Sequence, residues 1–153
     1  MFRWLKRQKN QERISGDTVD LVHEKDVMAS RFNNYVASRY YGIYVHGTQI
    51  RAGYCDLRLG MNEELYYAGN IGYHIEPAYR GHGYAYEACL MLFDIARQED
   101  MQEIIITCSP ENTPSRKTLE KLNGELLETT DVPPSHWLYR RGETVKNIYQ
   151  WKL

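Results

Sequence analysis

GNIGYHIEPAYRGHGYAYE, running from Gly69 to Glu87, is the stretch on which the fold turns. It reads as an apolar strand, a turn at Pro77, a loop Arg80-Gly81-His82-Gly83-Tyr84-Ala85, and the start of an amphipathic helix. Glycines at 81 and 83 allow conformations closed to other residues. The first amides of a helix have no partner within it, and its dipole favours negative charge there. Together with Arg80 at the rim, this describes a cradle of diphosphate size delivered by a strand. A bare Arg-Gly-x-Gly is also compatible with a mere tight turn, so the surrounding chain has to decide.

Upstream, residues 18–25 alternate as a first strand, and 26–38 read as a short helix or an irregular crossing. YYGIYVHG and TQIRAGYCDLRLG, rich in Tyr, Ile, Val and Leu, read as two strands joined at His46-Gly47-Thr48. Gly60 to Glu64 is the next turn, and residues 65–76 read as one further strand. Short connections predict antiparallel neighbours. Downstream, the helix from Tyr84 to about Asp100 places Tyr84, Ala88, Met91, Leu92, Ile95 and Ala96 on one stripe. EIIITC, residues 103–108, lacks alternation and is expected to be buried on both faces; a helical crossover makes it parallel to 66–76. A helix opens at Asn112-Thr113-Pro114 and stops at Asn123-Gly124. Residues 125–131 form a strand, 131–143 a long loop, and 144–153 a closing strand.

At 153 residues the chain forms one domain, here 16–153, behind a basic tail, 1–15, that carries Arg3, Lys6, Arg7, Lys9 and Arg13 against Glu12 alone. With a net charge of -1, the remainder is acidic, which argues against nucleic acid as the main ligand and for a cationic or amine acceptor. No run approaches the ~18 apolar residues of a membrane span, and the leader lacks a secretory apolar core, so a cytoplasmic protein is expected. Cys55, Cys89 and Cys108 form no C-x-x-C pair and read as reduced thiols. The five histidines show no metal-ligand spacing, and no metal is expected.

Two common nucleotide motifs do not fit. A P-loop needs Lys-Ser or Lys-Thr after its glycines, and Lys117-Thr118 lies inside a later helix. A dinucleotide-binding glycine motif belongs on the first strand–helix turn, whereas several antiparallel strands come first here. In context the segment resembles the GNAT superfamily of N-acetyltransferases. That family's pyrophosphate motif, Arg or Gln, two residues, Gly, one residue, Gly or Ala, is met by Arg80 to Ala85. ITCSPENTPSRKTLEKLNGELLE resembles its next strand and helix, and the branch containing ribosomal-protein N-terminal alanine acetyltransferases is the most similar in motif.

The resemblance implies a mixed α/β fold: a mostly antiparallel sheet with a splayed central parallel strand pair, flanked by helices. It implies acetyl-CoA as cosubstrate, with the pantetheine arm on the backbone of Tyr73, His74 and Ile75. Arg80 and the amides of Gly81, His82, Gly83, Tyr84 and Ala85 would hold the diphosphate, and Asn112 and Ser115 the cofactor beyond it. The family's usual acid, a Tyr seven residues past the helix Asn, falls here on Leu119; its usual base falls on Gly69. Ser115 is then the candidate thiolate partner, or else a locally bonded helix-start serine. His74 is a candidate proton relay, or else a packed histidine. The expected function is acetyl transfer to a primary amine in a ternary complex, by a monomer or homodimer without nucleic-acid or membrane partners. A non-catalytic CoA-binding module is the alternative.

Overall fold

The computed structural model describes residues 12–32 and 35–153. The first eleven residues of the basic tail lie outside the described residues. The remainder of that tail is sheet: Arg13–Ser15 forms β1, antiparallel to β2, Val19–Val27. Arg13 is drawn in by Asp20, 2.9 Å from its Nε, and by the Thr48 carbonyl.

β2 continues antiparallel to β3, Ser38–Val45, which pairs with β4, Arg51–Arg58. The helix allowed for residues 26–38 is absent among the described residues; β2 runs on to Val27, and a lone bridge joins Ser30 to Tyr35. The single strand read at 65–76 is instead two elements, helix α1, Glu63–Ala68, and strand β5, Ile71–Ile75. Tyr and Leu suggested a strand there, but Asn62 caps the helix through the Leu65 amide, and Glu63 and Glu64 suit its positive end. Gly69 makes the transition at φ 81°, where an added Cβ would come within 3.1–3.3 Å of the Ile105–Thr107 backbone. Both the dihedral and the close approach require glycine.

β5 closes a five-stranded antiparallel sheet in the order β1-β2-β3-β4-β5. Helix α2, Tyr84–Gln98, crosses over to β6, Glu103–Cys108, which belongs to a second sheet. That sheet is completed by β7, Glu125–Asp131, and by β8, Val145–Lys152, which lies at its centre. Helix α3, Thr113–Lys121, follows β6, and the long loop holds a further turn of helix, α4, Trp137–Arg140, capped by His136. The two sheets meet where β5 and β6 begin and then diverge, so the central parallel pair is splayed. Asn70, fully buried, forms the junction: its amide donates to the Ile105 carbonyl at 2.6 Å and its Oδ1 accepts from the Ile105 amide at 2.9 Å. Its Nδ2 donates to the carbonyls of Arg58 and Gly60.

One core spans both sheets through α2. Ala88, Leu92, Ile95 and Ala96 are buried as the stripe predicts, joined by Cys89 and Phe93. They pack on Leu21, Ile43 and Leu57 from one sheet and Ile104, Ile106 and Trp151 from the other. No helix among the described residues is long and apolar enough to cross a membrane.

Candidate active site

The divergence of β5 and β6 opens a cleft of about 850 Å³. Its walls carry Tyr73, His74 and Ile75 from β5, the 80–85 loop, Thr107 and Cys108 from β6, and Asn112 and Ser115 at the start of α3. The glycine loop turns left-handed at Gly81, φ 85°, and at Gly83, φ 72°. A Cβ at either would meet nothing within 4 Å, so backbone conformation alone demands glycine there. Gly83 caps α2 with no side-chain hydrogen bond, leaving the first-turn amides without the side-chain acceptor that usually covers them. Uncovered amides and a long helix at the mouth of a cleft suit a diphosphate. Lys117, on the same wall, adds a cation that the sequence reading did not assign.

The loop side chains have partners of their own. Arg80 Nε donates to the Ile75 carbonyl at 2.9 Å, tying the loop to the end of β5. His82 lies 3.0 Å from the Tyr79 carbonyl through Nδ1 and stacks on Tyr84. Glu87 points away from the loop to the Thr18 amide and hydroxyl, holding the β1–β2 turn against α2.

Asn112 accepts from the Ser115 amide at 3.3 Å and so caps α3 while lining the cleft. The Ser115 hydroxyl reaches across the cleft to the Tyr73 hydroxyl, 2.7 Å away. The sequence alone does not show this contact. It suggests backbone contacts and core packing for Tyr73, and nothing local ties it to a serine 42 positions later. Burial pushes the Tyr73 phenol well above its ordinary range, so it holds its proton at neutral pH. Leu119, where the family's tyrosine would fall, is fully buried in the core.

Tyr73 packs toward the core, so Gly72 and His74 face the other side of β5. His74 Nε2 stands 3.6 Å from a Glu76 carboxylate oxygen, and its ring lies against Tyr54. The three thiols are free and buried. Burial pushes Cys89 up to about 12 and raises Cys108 as well, which disfavours thiolate chemistry on the cleft wall. Among the described residues no group of three or more His, Cys, Asp or Glu is placed to hold a metal ion.

A two-sheet α/β fold split at a parallel pair, with a glycine loop at the mouth of the split, is the architecture of the acyltransferases that draw on an acyl-CoA donor. A family profile described as an acetyltransferase (GNAT) domain matches residues 1–125, and the chain belongs to that family. A GNAT-family acetyltransferase from Bacillus anthracis superposes with TM-score 0.59 at 26% identity, over 74% of this chain and 65% of its own. A putative acetyltransferase from Salmonella typhimurium with acetyl-CoA gives 0.57 at 16%, over 76% and 65%. A ribosomal-protein-S5-alanine acetyltransferase from Vibrio fischeri gives 0.61 at 18%, over 75% and 61%. The latter two likenesses concern the fold. The chain thus spans about two thirds of the length of these structures or somewhat less. No curated protein sequence matches it.

Proposed function

We propose that this protein is an acetyl-CoA-dependent N-acetyltransferase that transfers the acetyl group directly to a primary amine in a ternary complex. The observation that carries the reading is the Tyr73–Ser115 pair, two hydroxyls 2.7 Å apart on the wall of the split. A solved fold relative with acetyl-CoA supports the choice of cosubstrate.

Acetyl-CoA supplies an activated acyl carbon with a thiolate leaving group. The loop amides of residues 81–85 and Arg80 hold the diphosphate, and Asn112 borders the same path. The backbone of Tyr73, His74 and Ile75 binds the pantetheine amides as an added strand would. Binding on both sides of the split fixes the reactants within reach of one another, which replaces a bimolecular encounter with an oriented one. Ser115 then gives its proton to the departing sulfur, and Tyr73, kept protonated by burial, restores it. His74, on the opposite face and partly open to water, carries protons outward.

The test has two parts. Calorimetric titration with acetyl-CoA asks for binding at the loop, and thiol release over a panel of primary amines asks for transfer. Absence of acetyl-CoA binding removes the reading. Binding without turnover of any amine replaces it with a non-catalytic CoA module, a rival favoured by the apolar Leu119 at the family's acid position.

A further inference from the structure

On the face of β5 opposite the Tyr73–Ser115 pair lies a carboxylate that neither the family motif nor the loop accounts for. Asp56 sits in β4, directly opposite Gly72 in the β4–β5 register, and is 6% exposed. It lines the same cleft as Ser115. Its carboxylate lies over β5 because residue 72 has no side chain: a Cβ there would stand 2.6 Å from Asp56 Oδ1. Arg58 Nε stands 3.0 Å from Oδ2, near enough for an ion pair, yet Oδ2 receives no properly aimed hydrogen bond. Arg58 meanwhile spends Nη1 on the carbonyls of Ala68 and Gly69. A buried carboxylate oxygen without an aimed hydrogen bond costs stability, and a catalytic role is one of the reasons native proteins keep such a group. Burial raises the Asp56 pKa, while Arg58 and the Gly72 backbone pull it back, which makes it a stronger proton acceptor than an ordinary carboxylate.

We propose that Asp56 is the general base of the transfer, receiving the proton of the acceptor nitrogen from the face of β5 opposite the Tyr73–Ser115 pair. The proposal rests on the transferase reading above. As the nitrogen lone pair forms the C–N bond to the acyl carbon, the N–H proton passes to the Asp56 carboxylate. The C–S bond breaks with its electron pair on sulfur, which takes the Ser115 proton. Asp56 then returns its proton to water by way of His74 at the rim, and Tyr73 regains one from solvent. Base and acid on opposite faces of one strand keep the two proton transfers apart, so neither short-circuits the other.

Other titratable groups face the same space. Arg58 and Tyr54 flank Asp56 on β4, Tyr40 is its register partner on β3 with Lys25 of β2 over the ring, and His74 is on β5. Across the cleft stand Arg141 and the Glu143–Lys146 ion pair. His74 is the other candidate proton carrier on this face, so the test treats the two separately.

Thiol release from acetyl-CoA is measured with phenethylamine, spermidine and the dipeptide Ala-Ala as amine probes, for the wild type, Asp56→Asn and His74→Gln. Removing a general base costs roughly 100-fold or more. Asp56→Asn is therefore expected to lower kcat about 100-fold with acetyl-CoA affinity within twofold of wild type. Its residual rate should keep climbing with pH where the wild-type rate levels off, whereas His74→Gln loses less than tenfold and keeps the plateau. Gly72→Ala, which pushes a methyl group into Oδ1, should reproduce part of the kcat loss without removing the carboxylate. Wild-type turnover that survives in Asp56→Asn, or a plateau lost in His74→Gln and kept in Asp56→Asn, overturns the proposal while leaving the transferase standing. A wild type that binds acetyl-CoA and acetylates none of the probes removes the transfer step and the base with it. Should Asp56→Asn fail to fold by circular dichroism, Gly72→Ala decides alone, and normal kcat there counts against the base.

Discussion

Replacing Asn70 with alanine tests how the split between the sheets is held. The substitution deletes three side-chain hydrogen bonds: Nδ2 to the Arg58 carbonyl at 3.1 Å, Nδ2 to the Gly60 carbonyl at 2.7 Å, and the Ile105 amide to Oδ1 at 2.9 Å. All three partners are backbone groups next to a fully buried residue, so the loss exceeds the net value of three hydrogen bonds. A buried donor or acceptor left alone costs about 1–3 kcal/mol. Water entering the vacated space offsets some of this, giving an expected loss of about 3–6 kcal/mol out of the 5–15 typical of a domain. With a urea dependence of about 2 kcal/mol per molar, the unfolding midpoint should fall by about 1.5–3 M. Asn70→Asp keeps an acceptor for the Ile105 amide but turns a carboxylate oxygen toward two carbonyls, so it should do no better. A midpoint shift below about 0.5 M in Asn70→Ala would falsify the view that this side chain joins the sheets.

Arg80→Ala and Gly83→Val should each weaken acetyl-CoA binding at least tenfold by calorimetry; the valine acts through backbone strain at φ 72°, since the space beside it is open, and unchanged affinity in both moves the cofactor elsewhere. Ser115→Ala and Tyr73→Phe should each lower kcat with little change in acetyl-CoA affinity, and the double variant should cost no more than the worse single one; additive losses would show that the hydroxyls act separately. Asp20 gives a stability prediction. Burial raises its pKa, but hydrogen bonds from His46, the Gly47 amide and Arg13 outweigh that and lower it from 3.8 to about 2. A depressed folded pKa stabilises above the unfolded value, here by roughly 2 kcal/mol, and that contribution should vanish as pH falls from about 4 through 2. Asp20→Asn should lack this part of the acid dependence in urea titrations; an identical acid limb in the variant rejects the assignment.

The sequence made the 80–85 loop, the strand before it and the helix after it legible because glycine, proline and apolar periodicity are local signals. Residues 65–68 were misread because Tyr-rich segments favour strands on average, whereas here a cap at Asn62 and a glycine at 69 prevail. Of the two readings open for 26–38, the irregular crossing holds from Met28 onward among the described residues; only the extension of β2 through Asp26 and Val27 went unmarked, because its polar residues Glu24, Lys25 and Asp26 are exposed and carry no apolar periodicity. Asn112 and Ser115 could be named from the family motif, and a cap at Asn112 from its place at a helix start, but the partner of the Ser115 hydroxyl on β5 could not. The Tyr73 hydroxyl, the Asn70 junction and the Asp56 carboxylate all depend on pairings between strands or across the split, and such pairings leave no trace in spacing along the chain.

On the proposed mechanism, Tyr73 and Asp56 account for how the site would work without the family's usual acid and base. At the positions where those groups would fall, this chain has Leu119, committed to the core, and Gly69, committed to a left-handed turn against β6. Neither position could accept a polar side chain without disturbing packing or backbone. In that proposed mechanism the chemistry is instead distributed over the splayed strand itself. β5 sends Tyr73 to one side, where α3 supplies Ser115, and leaves Gly72 bare on the other, where β4 supplies Asp56. The alternation of a strand, whose successive side chains point to opposite faces, separates donor from acceptor by construction. On this account Gly72 and Tyr73 are a functional pair, and exchanging them, Gly72→Tyr with Tyr73→Gly, should abolish turnover. A partly active exchange would mean that the faces are not distinct and that the strand only carries the cofactor.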